Sequence, residues 1–241
     1  MELLIALVAS VAFALTMRDP LKAHPAVFYV AAVLVSAAFA SHAALEIAPV
    51  FGRALFPYVQ RCLFAFGLFS VVMFVGALPE GSRLRRHLNP ERGKLSVVAS
   101  ILVAGHVANY AQSYLSQVAG GLSGLPATML ASFAASAVLV ALLALLAVTS
   151  LDAVRRRMDA NGWKQVQMLA YPFYLLIFVH VALILGPSAS SPEQKAFFSI
   201  IVYTVIVGSY AAARLARVAA APGDGEAREE SATTGKTEAT A

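Results

Sequence analysis

From Leu95 to Leu151 the chain carries no Asp, Glu, Lys or Arg, an uninterrupted stretch of 57 residues. A membrane-spanning helix needs about 20 apolar residues. The stretch therefore holds two helices, and Gly120-Gly121-Leu122-Ser123-Gly124-Leu125-Pro126 is where they part, because Gly and Pro punctuate helices. The expected hairpin is 94–118 and 126–150, with Pro126 at a first turn that has no use for its missing N–H. A 241-residue chain that is 59% apolar and 13% charged cannot cover a soluble globule. Ordinary soluble domains carry about 25% charge. The remaining class is an all-α polytopic membrane helix bundle.

The other uncharged runs complete the count. They predict helices over about 25–49, 58–78 (ended by Pro79), 164–186 (ended by Gly186-Pro187) and 196–213. The first run, Leu3 to Met17, is 15 residues, about 22 Å of helix. A signal peptide would open with basic residues, whereas residue 2 is Glu, so a short first span is expected. The total is seven, a core of six with one added at the N-terminus. The basic residues sort accordingly. Loops one, three and five and the tail hold 15 Lys and Arg, including Arg83, Arg85, Arg86, Arg92, Arg155, Arg156, Arg157, Arg214 and Arg217. The opposite side holds 3: Arg53, Arg61 and Lys195. By the positive-inside rule the N-terminus is outside and the C-terminus inside. The pI of 9.5 thus reflects topology rather than a nucleic-acid face. The segment from 218 to 241 has no apolar period and is expected to be a disordered cytoplasmic tail.

A single cysteine, Cys62, excludes disulfide frameworks, zinc ribbons and iron–sulfur clusters. Attention moves to histidines, since polar groups inside a bilayer are costly and mark function by default. His24 and His87 fall in loops; His42, His106 and His180 fall within expected spans. His106 lies about 18 Å and His180 about 24 Å above the inner ends of their helices, which run in the same direction. Two imidazoles at one level on parallel helices suit the axial positions of a b-type haem. They equally suit hydrogen bonds across a bundle. Gly105 would let a macrocycle approach the backbone. Tyr110 and Tyr114 follow His106 at one and two turns, as a haem edge or an interfacial belt. Tyr171 and Tyr174 read the same two ways. Pro172 should kink its helix. His42, with Glu46 one turn on, is a weaker ligand candidate about 25 Å up the helix expected at 25–49.

The segment Trp163-Lys164-Gln165-Val166-Gln167-Met168-Leu169-Ala170-Tyr171, running on to His180, resembles the ferric reductase-like transmembrane domain. Within that family it is most similar to the haem-binding membrane subunit of bacterial methionine sulfoxide reductase systems. Thr149-Ser150, Arg155 to Arg157, Trp163, Tyr171 and His180 match in order, and Arg85-Arg86 and Arg92 precede His106 and Tyr110 as in the family. The likeness covers about residues 55–215, and residues 1–24 look like an addition to a bundle of 25–217. It implies one haem b held by His106 and His180 as iron ligands, with Tyr110 and Tyr171 in the haem environment. Where the family has a first His in this helix the chain has Gln167, so a second, inner haem is not expected. The resemblance implies electron transfer across the cytoplasmic membrane. The electrons would come from a separate cytosolic flavoprotein or from quinol, since no flavin or nicotinamide domain is present in the sequence. They would pass to an external acceptor or partner reductase, and a quinone or flavin is the only further cofactor suggested.

Three other classes compete. A transporter would place broken helices at the midplane, but the glycine-rich break here lies between helices. A retinal protein would need a Lys in mid-helix, and Lys195 stands at a helix start. A structural membrane subunit would carry no cofactor.

Overall fold

The structure is a computed structural model that describes residues 1–121, 125–189 and 195–219, without the side chains of Gln112 and Ser113. The described residues contain helices and no strand. The expected tail, beyond Ala219, and Leu122–Gly124 of the glycine-rich break lie outside them.

The first third of the chain is α1 (Glu2–Thr16), α2 (Arg18–Ala23), α3 (Pro25–Ala40), α4 (Ala43–Ile47), α5 (Pro49–Val59) and α6 (Leu63–Ala77). Next come α7 (Arg83–Leu88), a 3₁₀ turn (Asn89–Glu91) and α8 (Arg92–Ala119). The remainder is α9 (Ala127–Ser150), α10 (Asp152–Arg155), α11 (Ala160–Met168), α12 (Ala170–Ala189) and α13 (Lys195–Ala219). Among the described residues, five stretches are long and apolar enough to cross a membrane: Pro49–Ala77, Arg83–Ala119, Ala127–Ser150, Ala160–Ala189 and Lys195–Ala219. Glu2–Thr16 and Pro25–Ala40 are apolar but shorter.

The helix expected over 25–49 is not continuous. It ends at Ala40, and His42 adopts a left-handed conformation at φ 62° before α4 begins. Ala48 is then held out of the helical region, at φ −136° and ψ 70°, by the ring of Pro49, which opens α5. A second left-handed residue, Cys62 at φ 57°, separates α5 from α6, so the helix expected from 58 starts at Leu63. The helix expected over 164–186 is two pieces. Pro172 has no N–H for the carbonyl of Met168, and the helix is interrupted at Leu169. α12 then carries Pro187 within its last turn and runs on to Ala189, past the expected stop at 186.

α6 is the hub, buried on nearly every side. α1 packs along it closely: Ser10 Oγ donates to the carbonyls of Ala6 at 2.8 Å and Phe64 at 3.0 Å. Gly67 provides the room, since a Cβ there would stand 2.8 Å from Ser10 Cβ. The first helix is therefore part of the core, with Leu3, Ala6 and Ala14 buried. On another face of α6, Phe66 stacks on Tyr174 of α12 at 5.8 Å, and Ser70 Oγ shares a 2.7 Å hydrogen bond with the Tyr174 hydroxyl. The helices differ in how much they bury. The most apolar window of Pro49–Ala77 is 61% buried, against 22%, 11% and 17% for the windows in α9, in Ala160–Ala189 and in α13. Their outward residues, such as Val140, Leu145, Leu175, Val179 and Val205, are apolar and exposed. A helix apolar on its outer face needs lipid or another apolar partner around it.

Candidate functional site

The site begins with a backbone carbonyl. The left-handed turn at Cys62 follows the end of α5, and the carbonyl of Gln60 there meets His106 Nδ1 of α8 at 2.6 Å. On α12, His180 Nδ1 lies 3.2 Å from Ser136 Oγ of α9, and the ring also hydrogen-bonds the Ser132 backbone. Ser136 donates its own proton to the Ser132 carbonyl at 2.8 Å, so its lone pair is free to accept from His180. A carbonyl accepts only, so His106 carries its proton on Nδ1. His106 thus presents Nε2 as a lone pair with no hydrogen-bond partner among the described residues, and His180 has its Nδ1 engaged by Ser136. A ring fixed through Nδ1–H with Nε2 open is the arrangement of a metal-ligating histidine. The two imidazoles lie within electrostatic reach of each other. Tyr110 packs on the His106 ring at 4.7 Å between centroids.

Three buried side-chain atoms among the described residues have no hydrogen-bond partner: Gln60 Nε2, Gln60 Oε1 and Ser132 Oγ. Both residues are the ones that anchor the histidines through their backbones. A buried polar atom left unpaired costs about 1–3 kcal/mol. Both histidine anchors thus carry unpaired side-chain polar atoms, and two imidazoles are the donor type that a bis-histidine haem uses.

The other sequence-derived residues lie elsewhere. Gly105 faces α3, where a Cβ would stand 2.7 Å from Ser36 Cβ. Its close approach is to a helix, which corrects the reading of room for a macrocycle. His42 and Glu46 are exposed at the break between α3 and α4, so the 25 Å depth reckoned along one continuous helix does not apply. Tyr114 packs edge-on against Phe133 of α9 at 4.4 Å. Tyr174 is in the core beside Ser70. Tyr171 stands nine residues before His180, at the other end of α12, where its hydroxyl accepts from Arg214 at 2.7 Å. Gln167 donates to Thr149 Oγ1 at 3.1 Å near that same end. Gln60, Ser132 and Ser136 carry no motif. The signal that points to Ser132 and Ser136 is their spacing of one helical turn inside α9, away from the polar residues at its ends.

The described residues hold no group of three or more His, Cys, Asp and Glu side chains arranged to bind a metal ion. The fold and these residues define a helical bundle of membrane-protein character with two histidines, His106 and His180, tied by hydrogen bonds to neighbouring helices. The chain is similar to an uncharacterized protein of Treponema pallidum (strain Nichols), with 37% identity over 163 residues, 68% of this chain and 45% of the relative. The match thus spans less than half the length of that relative. No family model matches the sequence, and no solved structure matches it.

Proposed function

We propose that the chain is a b-type haem protein of the cytoplasmic membrane, carrying electrons from a cytosolic flavoprotein or quinol to an external acceptor or partner reductase. In this reading seven helices cross the membrane, N-terminus outside and C-terminus inside, with α1 and α3 as the two short spans. The observation that carries the proposal is His106 and His180, each with Nδ1 engaged by a neighbouring helix or turn. His106 and His180 would hold a haem, which would supply one-electron transfer. The chain's own contribution is orientation. The Gln60 carbonyl and Ser136 Oγ fix the two rings, and Tyr110 restrains the His106 plane. Tyr171 is left out of this site because it is engaged with Arg214.

The competing reading is a cofactor-free transporter or structural subunit, in which the histidines only tie helices together. Visible spectra of protein purified after haem-supplemented expression separate the two. The proposal expects a Soret band and, on dithionite reduction, a sharp α band, both lost in His106→Ala and in His180→Ala and kept in Gln167→Ala. A colourless wild-type protein, or haem retained in both histidine variants, rejects it.

A further inference from the structure

Toward the opposite end of the bundle from the histidines, guanidinium groups from three helices face one cavity of about 230 Å³. Arg85 comes from α7, Arg92 opens α8, and Arg214 and Arg217 lie near the end of α13. Each is held in place. Arg92 Nε donates to the Val72 carbonyl at 2.9 Å, lying against α6 where Gly76 leaves space. Arg217 donates to the Gly76 carbonyl, and Arg85 to that of Leu78 at 3.0 Å. Arg214 donates to the Tyr171 hydroxyl and stacks over its ring at 5.0 Å.

The charges in this cavity do not balance. Glu80 is shared by Arg85 at 3.4 Å and Arg217 at 2.9 Å, and its side chain is 81% exposed. Arg92 and Arg214 have no carboxylate partner among the described residues, and both Arg85 and Arg214 are near enough to Arg92 to repel it. A guanidinium does not give up its proton in a protein, so four positive charges face one negative one. Topology alone would be served by arginines pointing into water, as the exposed Arg83 and Arg86 do. These four converge instead. The Tyr171 hydroxyl, accepting from Arg214, keeps its own proton to donate. Rigid guanidinium forks match the oxygens of phosphate two at a time. The cavity, at about 30 Å³ per water, has room for a tetrahedral anion and solvent.

We propose that the cavity formed by Arg85, Arg92, Arg214 and Arg217 binds a phosphate group, either on the headgroup of an anionic phospholipid or as free phosphate. This site is separate from the histidine pair and stands whether or not haem binds there.

The test uses the full chain, purified in detergent and stripped of lipid. Native mass spectrometry measures retention of added phosphatidylglycerol against phosphatidylcholine, and thermal melting measures stabilisation by inorganic pyrophosphate. A preference for phosphatidylglycerol of about tenfold or more assigns the lipid source. Stabilisation by pyrophosphate without that preference assigns free phosphate. The absence of both effects overturns the proposal. Arg214→Gln, whose partner is a side chain rather than the backbone, is expected to weaken binding about tenfold through loss of one charge-assisted contact. Glu80→Gln, at an exposed position, is expected to tighten it, an effect that misfolding cannot mimic. Arg156→Gln, an exposed cation outside the cavity, is expected to change nothing. Equal losses in Arg156→Gln and Arg214→Gln would show a diffuse surface charge and overturn the proposal.

Discussion

Gly105→Ala tests whether the residue beside His106 is a helix seam. A methyl group on Gly105 would stand 2.7 Å from Ser36 Cβ and 3.1 Å from Ser36 Cα, where ordinary contact begins at 3.4 Å. The shortfall to Cβ is about 0.7 Å, and it involves backbone, so rotating the serine side chain cannot relieve it. α3 must move away from α8. Overpacking of this size costs about 1–3 kcal/mol. The shift also strains the hydrogen bond from Ser36 Oγ to the Ile101 carbonyl, 3.1 Å long, adding about 0.5–1.5 kcal/mol. Against this, Ala gains up to about 1 kcal/mol over Gly in a helix. The net expectation is a loss of about 1–3 kcal/mol. At about 2–4 °C per kcal/mol for a chain of this size, the melting temperature in detergent should fall measurably in fluorescence-detected size exclusion. Ser36→Gly in the same chain removes the obstructing atoms and should recover most of the loss, a coupling that a double-mutant cycle reads directly. A neutral Gly105→Ala, or a loss that Ser36→Gly fails to recover, would refute the packing argument.

Other perturbations address other parts of the fold. Lys94→Met removes the partner 2.7 Å from Glu91, a carboxylate 1% exposed; stranding that charge should cost about 3 kcal/mol or more in urea unfolding from detergent. Glu91→Gln with Lys94→Met should recover much of it. Gln60→Met replaces an amide with no partner by an apolar side chain of similar length. It should raise the melting temperature of the cofactor-free protein and, under the haem proposal, lower the fraction of protein carrying the Soret band. A drop in stability of the cofactor-free protein would show that the amide is already satisfied.

Much of the helix pattern is legible because charge is so scarce. The uncharged runs place α1, α9 and α13 to within a few residues at most ends, and rise per residue singles out His106 and His180 on parallel helices. The breaks at His42 and Cys62 are not legible. A left-handed turn in an apolar stretch, made by residues other than Gly, leaves no mark on hydropathy. Pro49 does mark the start of α5, but it sits where an apolar run gives no reason to stop. The Pro172 interruption is legible, because a missing N–H acts at a fixed distance along the chain. The same counting separates Tyr171 from His180 by nine residues, about 14 Å of helix, although the family likeness groups them. The partners of the histidines are backbone carbonyls and serine hydroxyls, and any residue supplies a carbonyl. That is why Gln60 escapes sequence reasoning. The arginines are visible in the sequence, but as a tally by side; only folding shows that four of them meet.

The uneven burial of the helices bears on how the molecule is made. Chains begin to fold from the N-terminus as they are synthesised. By the time Ala77 has emerged, α1 and α6 can already close their seam at Ser10 and Gly67. The two halves of the histidine pair arrive far apart in time, His106 on α8 and His180 on α12, after the hairpin partner α9 has been laid down. The second half comes on Ala160–Ala189, the span with the least buried apolar window of the five. Its outer face is the least covered by the rest of the chain, so it needs apolar surroundings from the moment it emerges.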